Sequence, residues 1–336
     1  MRMEINEIPD AAQRLIQSSS REVEVIAARL QSLDPHLVAT IARGSSDHAA
    51  GFLKYAIELT LGLPVASLGP SIASVYDAQL RLNRTATLSI SQSGKSPDIV
   101  AMAQNARRGG SFTIALTNVI SSPLALASDV ALDIAAGPEL SVAATKTYVN
   151  SLIAGLLILA EWSKDRELSN AINGLPTALS HAVTQDWSPL CEALAHRHSL
   201  YILGRGPALA IAQEAALKFK ETSGMHAEAY SSAEVMHGPV SIVGEGFPVL
   251  ALIARDKAEP NVAAIADQLV EQGAAVFATS SRVKKSNALP FTASGHPLTD
   301  ALVQIASFYG FVEMLARRRG FDPDKPRHLR KVTETV

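Results

Sequence analysis

From His36 onward the chain alternates short, nearly continuous apolar runs with longer stretches in which apolar residues recur every three or four positions. The first kind predicts buried strands of a parallel sheet, the second amphipathic helices. Residues 37–42 (Leu-Val-Ala-Thr-Ile-Ala) form such a strand run, ending in the polar turn Arg43-Gly44-Ser45-Ser46-Asp47. A helix then follows through Ala49, Phe52, Leu53, Ala56, Ile57 and Leu61. The pattern next predicts a strand at 65–68, a helix at 71–80, a strand ending at Ile90, a helix from Pro97 to about Arg108, and strands at 112–117 and 129–134. Ahead of these, residues 4–33 carry apolar positions at helical spacing and predict one or two entry helices. Behind them, residues 139–162 read as a polar turn running into a long apolar helix, whose apolar run from Val149 to Trp162 is too short to span a membrane. Strands alternating with helices predict a doubly wound parallel sheet.

The second half repeats the first. Leu200 to Gly206 echoes Leu37 to Gly44, so that the Arg43-Gly44 pair recurs as Arg205-Gly206. The strand run from Val249, ending near Pro260, echoes the one ending near Pro97, and Ala278-Thr279 stands to the second half as Ala115-Leu116 does to the first. The three offsets agree to within a single position, which predicts two tandem copies of one α/β unit. The expected organisation is an N-terminal helical segment (1–34), a first unit (35–165), a polar, proline-containing link (166–189), a second unit (190–319) and a C-terminal tail (320–336).

The copies differ where chemistry belongs. After the strand ending at Ile90 comes Ser91-Gln92-Ser93-Gly94-Lys95-Ser96, then Pro97-Asp98 opening a helix. Backbone N–H groups, neutral hydroxyl donors and the positive end of a helix dipole together suit an anion, a phosphate above all. The second copy has Ala254-Arg255-Asp256-Lys257-Ala258-Glu259 there, so one phosphate site is expected, at the carboxyl end of the first sheet. The second copy instead carries acid/base residues. Lys218 and Glu221 stand three positions apart on one helical face, and His226, Glu228, Glu234 and His237 follow. Taken alone, Lys218 and Glu221 also fit a solvated surface pair, His226 a capping or core histidine, Glu228 and Glu234 structural carboxylates at turns, and Lys146 a surface charge.

Charge changes the picture only by exclusion. A net charge of −2 with 18% charged residues gives no polyelectrolyte character, so no nucleic-acid partner is expected. The single cysteine, Cys191, excludes an internal disulfide and any multi-cysteine metal site, which fits a reducing cytoplasm. No histidine or carboxylate cluster has metal-ligand spacing, and neither metal nor cofactor is expected. The N-terminus lacks the apolar stretch of a secretory signal.

Four motifs stand out: R-G-S-S, S-I-S-Q-S-G-K-S-P-D, A-L-K-F-K-E-T-S with H-A-E-A-Y-S-S-A-E-V-M-H-G-P, and the tail D-K-P-R-H-L-R-K-V-T-E-T-V. Together, and in this order, they resemble the tandem sugar-isomerase (SIS) family, in particular the isomerase half of glucosamine-6-phosphate synthase and the stand-alone deaminases related to it. The resemblance covers residue 35 onward and implies two flavodoxin-like SIS units. It implies that Ser91, Gln92, Ser93 and Ser96 hold a sugar 6-phosphate, with Ser45, Ser46 and Val142 bordering the sugar. It implies that Glu221 moves a proton between C1 and C2 while Lys218 assists. His237 is implied to open the ring from the other subunit of a homodimer, and Lys331 in the tail to close over the substrate. Arg43 stands where the synthase has cysteine, Pro138 interrupts the family's G-x-E before Val142, and Ala144 replaces a serine; these departures bear on which sugar is used.

The chemistry is sensible for these residue types. Proton transfer between adjacent carbons of an open-chain sugar needs one base reaching both, and a buried carboxylate suits it. Ring opening needs a group that donates and accepts near neutral pH, the range of histidine. A lysine ammonium stabilises negative charge developing on the enolamine. Only some thirty-five residues precede the first unit, so no ammonia-generating glutaminase is expected within the sequence. The expected activity is therefore conversion of glucosamine 6-phosphate to fructose 6-phosphate and ammonia. Alternatives are fructosamine-6-phosphate deglycation, deamination or isomerisation of galactosamine 6-phosphate, and, in another class, a non-catalytic sugar-phosphate sensor.

Overall fold

The computed structural model of the chain describes residues 1–329 and residue 331. The chain forms two compact units, each with its own five-stranded sheet. The first comprises residues 10–139 and 146–173 and includes Lys331; the second comprises residues 1–9, 140–145 and 174–329.

In the first unit, β1 (Leu37–Ile41), β2 (Val65–Ser67), β3 (Thr85–Ile90), β4 (Phe112–Thr117) and β5 (Val130–Asp133) pair in the order β2-β1-β3-β4-β5, all parallel. Every residue of β3 is buried, as is every residue of β1 and β4 but the first, the pattern of a sheet covered on both faces. The helices up to this unit's end are α1 (Arg2–Asn6), which belongs to the second unit, α2 (Ile8–Ser18), α3 (Ser20–Leu33), α4 (Ser45–Leu61), α5 (Ser71–Ser74), α6 (Pro97–Arg108), α7 (Pro123–Ala127) and α8 (Lys146–Ser163). Met102, Ala103 and Ala106 of α6 and Leu124 of α7 pack with Ile41 and Ala115 from the sheet.

The helix expected over 71–80 is only the four-residue α5. Asp77 takes a left-handed φ of 45°, which ends the turn, and the segment that follows is held instead by Asn105, whose amide donates to the Ala78 carbonyl at 2.9 Å. Residues 166–189, expected as a link, are mostly helical: α9 (Arg166–Ala182), with Pro176 inside it, and the start of α10 (Ser188–Leu194). Leu168, Ile172, Leu175 and Leu179 are fully buried at helical spacing, so α9 forms an apolar stripe despite its polar composition.

In the second unit, β6 (Ser199–Gly204), β7 (His226–Ser231), β8 (Pro248–Ala251), β9 (Ala275–Ala278) and β10 (Asn287–Ala288) pair in the order β7-β6-β8-β9-β10, again all parallel. Counted within its unit this is the same strand order as in the first. The accompanying helices are α11 (Pro207–Ser223), α12 (Glu259–Glu271) and α13 (Pro297–Arg318). Val262, Ala266 and Leu269 of α12 pack on Tyr201, Leu203, Val249, Ala251 and Val276 of the sheet. α13 is long and apolar enough to cross a membrane by length and composition, but 94% of its most apolar window is buried inside the protein. Its Phe308 and Phe311 pack edge-on against Phe219 of α11 at 5.3 and 5.9 Å, so it is a core helix.

The repeat extends to backbone conformation. Gly44 and its counterpart Gly206 precede α4 and α11 with φ, ψ of 55°, −132° and 57°, −133°. A positive φ with that ψ is open to glycine and strained for other residues, so both copies keep glycine at the strand-to-helix turn. Gly62 and Gly224 end the same helices in the left-handed conformation, and Gly110 and Gly273 share φ of 93° and 94°.

Candidate functional site

In the first unit the serine-rich loop leaves the end of β3 and enters α6. Gly94 makes the turn at φ 61°, and a Cβ there would lie 2.1 Å from the Ser122 Oγ, so the chain passes too close for any side chain. The Gly94 carbonyl accepts from the Leu124 N–H of α7 at 3.0 Å, and the Gln92 carbonyl from the Asn118 N–H at 3.1 Å. The loop is thus fixed by its backbone. Ser91, 8% exposed, accepts the Gly94 N–H at 3.2 Å, and Ser93 accepts the Lys95 N–H at 3.3 Å; both hydroxyls act as acceptors there and keep their own hydrogens to donate. Ser96 is the N-cap of α6 without a side-chain capping bond, followed by Pro97 and Asp98 in the first turn. Gln92, Ser93 and Ser96 are half-buried.

Ser45 and Ser46 sit half-buried in the first turn of α4, just after β1, the strand paired with β3. Chain direction across the sheet changes between β1 and β3, so these two loops flank its topological switch point, where open α/β sheets bind ligands. Arg43 spans the same place. Its Nε and Nη2 both lie 3.0 Å from Oδ2 of buried Asp98, whose Oδ1 takes the Ile99 N–H at 2.8 Å.

Also in the first unit, Lys331 reaches Glu139: its Nζ donates to Oε2 at 2.9 Å. Glu139 is buried and also accepts the Thr147 hydroxyl at 2.6 Å and the Thr147 N–H at 3.2 Å. Lys146 beside it is 1% exposed, which overturns its reading as a surface charge. Of the expected tail, 320–336, residues 330 and 332–336 lie outside the described residues.

In the second unit, α11 carries a buried ionic cluster. Lys218 is fully buried, with its Nζ 3.2 Å from Oε1 of Glu214, itself fully buried, and in hydrogen-bonding contact with Oε2 of Glu221. Tyr309 of α13 donates to Glu214 Oε1 at 3.2 Å. Burial alone pushes the Lys218 ammonium towards deprotonation, but the two carboxylates outweigh it and raise its pKa above the ordinary lysine value. The reading of Lys218 and Glu221 as a solvated surface pair does not hold. Sequence reasoning puts these two on one face but misses Glu214, one turn earlier; its i, i+4 spacing to Lys218 is the signal that could have found it.

Glu221 is the member that meets solvent, at 18% side-chain exposure. It lines an open cleft of about 590 Å³ in this unit, together with Lys220, Lys325, Arg327 and His328. His237 follows a 3-10 turn, Glu234–Met236, and is exposed. Val142 is half-buried in the segment whose Ser141 N–H donates to Glu4 at 3.0 Å. His226, expected as a cap or core residue, is instead exposed at the start of β7, with Nδ1 3.3 Å from Ser199 Oγ. Glu228 accepts the Tyr230 hydroxyl at 3.0 Å, and Glu234 is exposed. Among the described residues no group of three or more histidine, cysteine or acidic side chains is arranged to hold a metal ion.

A duplicated, doubly wound parallel α/β frame, with a hydroxyl-lined loop before a helix N-terminus in one copy and a buried carboxylate–ammonium–carboxylate cluster in the other, defines the class. The chain belongs to the SIS domain family, whose profile matches residues 34–160 and 193–288. It is 34% identical over 343 residues to the isomerizing glutamine–fructose-6-phosphate aminotransferase of Sulfurisphaera tokodaii, covering 99% of this chain and 56% of that protein. The chain therefore spans little more than half the length of this curated relative. Among solved structures, a provisionally named phosphosugar isomerase of Silicibacter pomeroyi DSS-3 is 58% identical with a TM-score of 0.94, covering 96% of this chain and 99% of that one. The C-terminal domain of the glucosamine-fructose-6-phosphate aminotransferase of Francisella tularensis is 26% identical with a TM-score of 0.83, over 96% and 97% of the two chains.

Proposed function

We propose that the chain is a sugar-phosphate enzyme of the aldose–ketose isomerase type, and specifically a deaminase that converts glucosamine 6-phosphate to fructose 6-phosphate and ammonia. The observation that carries this reading is the cluster on α11, where a fully buried ammonium is held between two carboxylates and one of them, Glu221, opens onto a cleft. A buried lysine kept charged is a fixed electrostatic element, and a carboxylate beside it with partial access suits a proton carrier. In this reading Ser91, Gln92, Ser93 and Ser96 hold the 6-phosphate, and Ser45, Ser46 and Val142 border the sugar. His237 opens the ring. Glu221 takes the C2 proton of the open-chain amino aldose, Lys218 stabilises the negative charge on the resulting enolamine, and Glu221 returns the proton at C1. The C2 imine then adds water and expels ammonia, leaving the ketose. Lys331, braced by Glu139, is the tail group beside the substrate.

The exposure of His237 is what a residue serving a second subunit needs, so a homodimer with shared sites belongs to the proposal. So do the assignments of residues 35–165 and 190–319 as the two SIS units and a cytoplasmic place for the protein. The test is an assay of ammonia release over glucosamine 6-phosphate, galactosamine 6-phosphate, a fructosamine 6-phosphate and unphosphorylated glucosamine. Fastest release from glucosamine 6-phosphate, with little from glucosamine, is expected. No ammonia from any of the four would leave the sensor reading in its place.

A further inference from the structure

Arg43 is not accounted for by the neutral-donor loop. We propose that Arg43 is itself a phosphate-binding residue, its outer guanidinium edge adding a fixed positive charge to the loop at Ser91–Ser96. This rests on the reading of that loop as the sugar-phosphate site.

The geometry argues it in three steps. First, the guanidinium lies across the switch-point crevice: Arg43 follows β1, Asp98 opens α6 after β3, and the pair joins the two loops proposed to hold the ligand. Second, one edge is hydrogen-bonded to Asp98, whereas Asp47, whose carboxylate also feels the Arg43 charge, makes no ion pair with the other. A guanidinium carries five donors in a planar fork, Asp98 engages it through Nε and Nη2 at a single oxygen, and 55% of the side chain remains exposed. Asp98 is 1% exposed and is also held by the Ile99 N–H, so the anchor is rigid and little side-chain freedom remains to be lost when an oxyanion docks. Third, the repeat separates this role from a scaffold role. The Arg-Gly pair recurs as Arg205-Gly206 with the same glycine conformation, but the counterpart of Asp98 in the second copy is Pro260 by the offset of the Arg-Gly pairs and Asn261 by that of the strand ends. The frame therefore forms at Gly206 without an acidic anchor of this kind, and the anchored arginine belongs to the copy with the hydroxyl loop.

A charge-assisted, forked contact to phosphate is stronger than a neutral hydroxyl contact, and arginine matches phosphate geometry where lysine offers only a point charge. The experiment is calorimetric titration of inorganic phosphate and of glucosamine 6-phosphate into wild type, Arg43→Met, Arg43→Lys and Asp98→Asn, with unfolding curves to establish that each variant is folded. Arg43→Met is expected to weaken both ligands about tenfold, Arg43→Lys and Asp98→Asn each by only about threefold, since both keep the cation. If Arg43 were a strut, removing either partner would lose the same ion pair, and Arg43→Met and Asp98→Asn would match. That equality, or unchanged binding in Arg43→Met, overturns the proposal while leaving the loop assignment intact. Failure of the wild type to bind either ligand overturns the loop assignment and the proposal with it. Both readouts are binding, so they are independent of whether ammonia is the product.

Discussion

Helices α4 and α11 stand at the same place in two copies of one frame. Each has 17 residues, begins after a glycine at φ near 55° and ends at a left-handed glycine. Yet the positions that hold Glu214, Lys218 and Glu221 in α11 hold Phe52, Ala56 and Leu59 in α4 when Gly206 is aligned on Gly44. Phe52 and Ala56 are fully buried, as are Glu214 and Lys218. Burying a phenylalanine contributes roughly 1.5–3 kcal/mol, whereas taking a carboxylate and an ammonium out of water costs several kcal/mol each before their attraction and hydrogen bonds offset it. The first copy shows that this helix needs no charge to pack. The packing of this frame therefore does not by itself require the charges in the second copy, which fits the proposed catalytic role.

The loops after the equivalent strands β3 and β8 differ in the opposite sense. In the first copy hydroxyls accept local N–H groups and keep donors to spare. In the second, Arg255 pairs with Asp300 and lies 4.3 Å over the Phe291 ring, while buried Glu259 takes the Ser280 hydroxyl at 2.7 Å and the Arg282 guanidinium at 3.2 Å. The charged side chains of that loop are thus tied to neighbouring segments, although Nη1 and Nη2 of Arg255 are buried without a hydrogen-bond partner among the described residues. One frame thus carries a hydroxyl-rich loop in one copy and a buried carboxylate–ammonium–carboxylate cluster in the other, the features on which the proposed division into phosphate binding and proton transfer rests.

The sharpest way to break the comparison is Glu221→Gln, which keeps shape and removes the base. It is expected to lower kcat for ammonia release by roughly 10² to 10⁴-fold. Lys218→Met comes next: leaving Glu214 and Glu221 facing each other without the cation should cost about 3–5 kcal/mol of stability in chemical denaturation. Its pH dependence follows from the raised Lys218 pKa. That stabilisation is fully present below the ordinary lysine value of 10.5 and is lost as pH rises above it through the folded-state pKa, so the variant should lack the wild type's added loss of stability there. Gly94→Ala should destabilise by about 1–3 kcal/mol, because it forces a Cβ at positive φ into Ser122, and its melting temperature would record this. Smallest is Ser93→Ala, which removes one neutral donor; KM for the 6-phosphate should rise about five- to tenfold with kcat nearly unchanged.

Much of this is legible in the sequence because it is written in periodicity and glycine. The strand run at Phe112–Thr117 and the helix opening at Pro97 fall where the pattern puts them, and the recurrence of Arg43-Gly44 as Arg205-Gly206 reappears in the paired glycine torsions. What escapes is the burial of charge. Period alone cannot tell a solvated lysine from one enclosed by carboxylates, so Lys146 reads as surface charge and Glu214 goes unmarked, although both are buried. Tyr309 joins that cluster from the distant helix α13, a contact that no local pattern encodes. Residues 166–182 mislead through polar composition and Pro176, while four buried aliphatic residues at helical spacing hold the helix together.

The central claim is a division of labour, with phosphate binding in the first copy and proton transfer in the second. Titration of an unreactive ligand, 2-amino-2-deoxyglucitol 6-phosphate, into wild type, Glu221→Gln and Ser93→Ala tests it most directly. The account predicts a Kd for Glu221→Gln within about threefold of wild type and one for Ser93→Ala weaker by about five- to tenfold. Loss of binding in Glu221→Gln as large as in Ser93→Ala, or undiminished binding in Ser93→Ala, would contradict it.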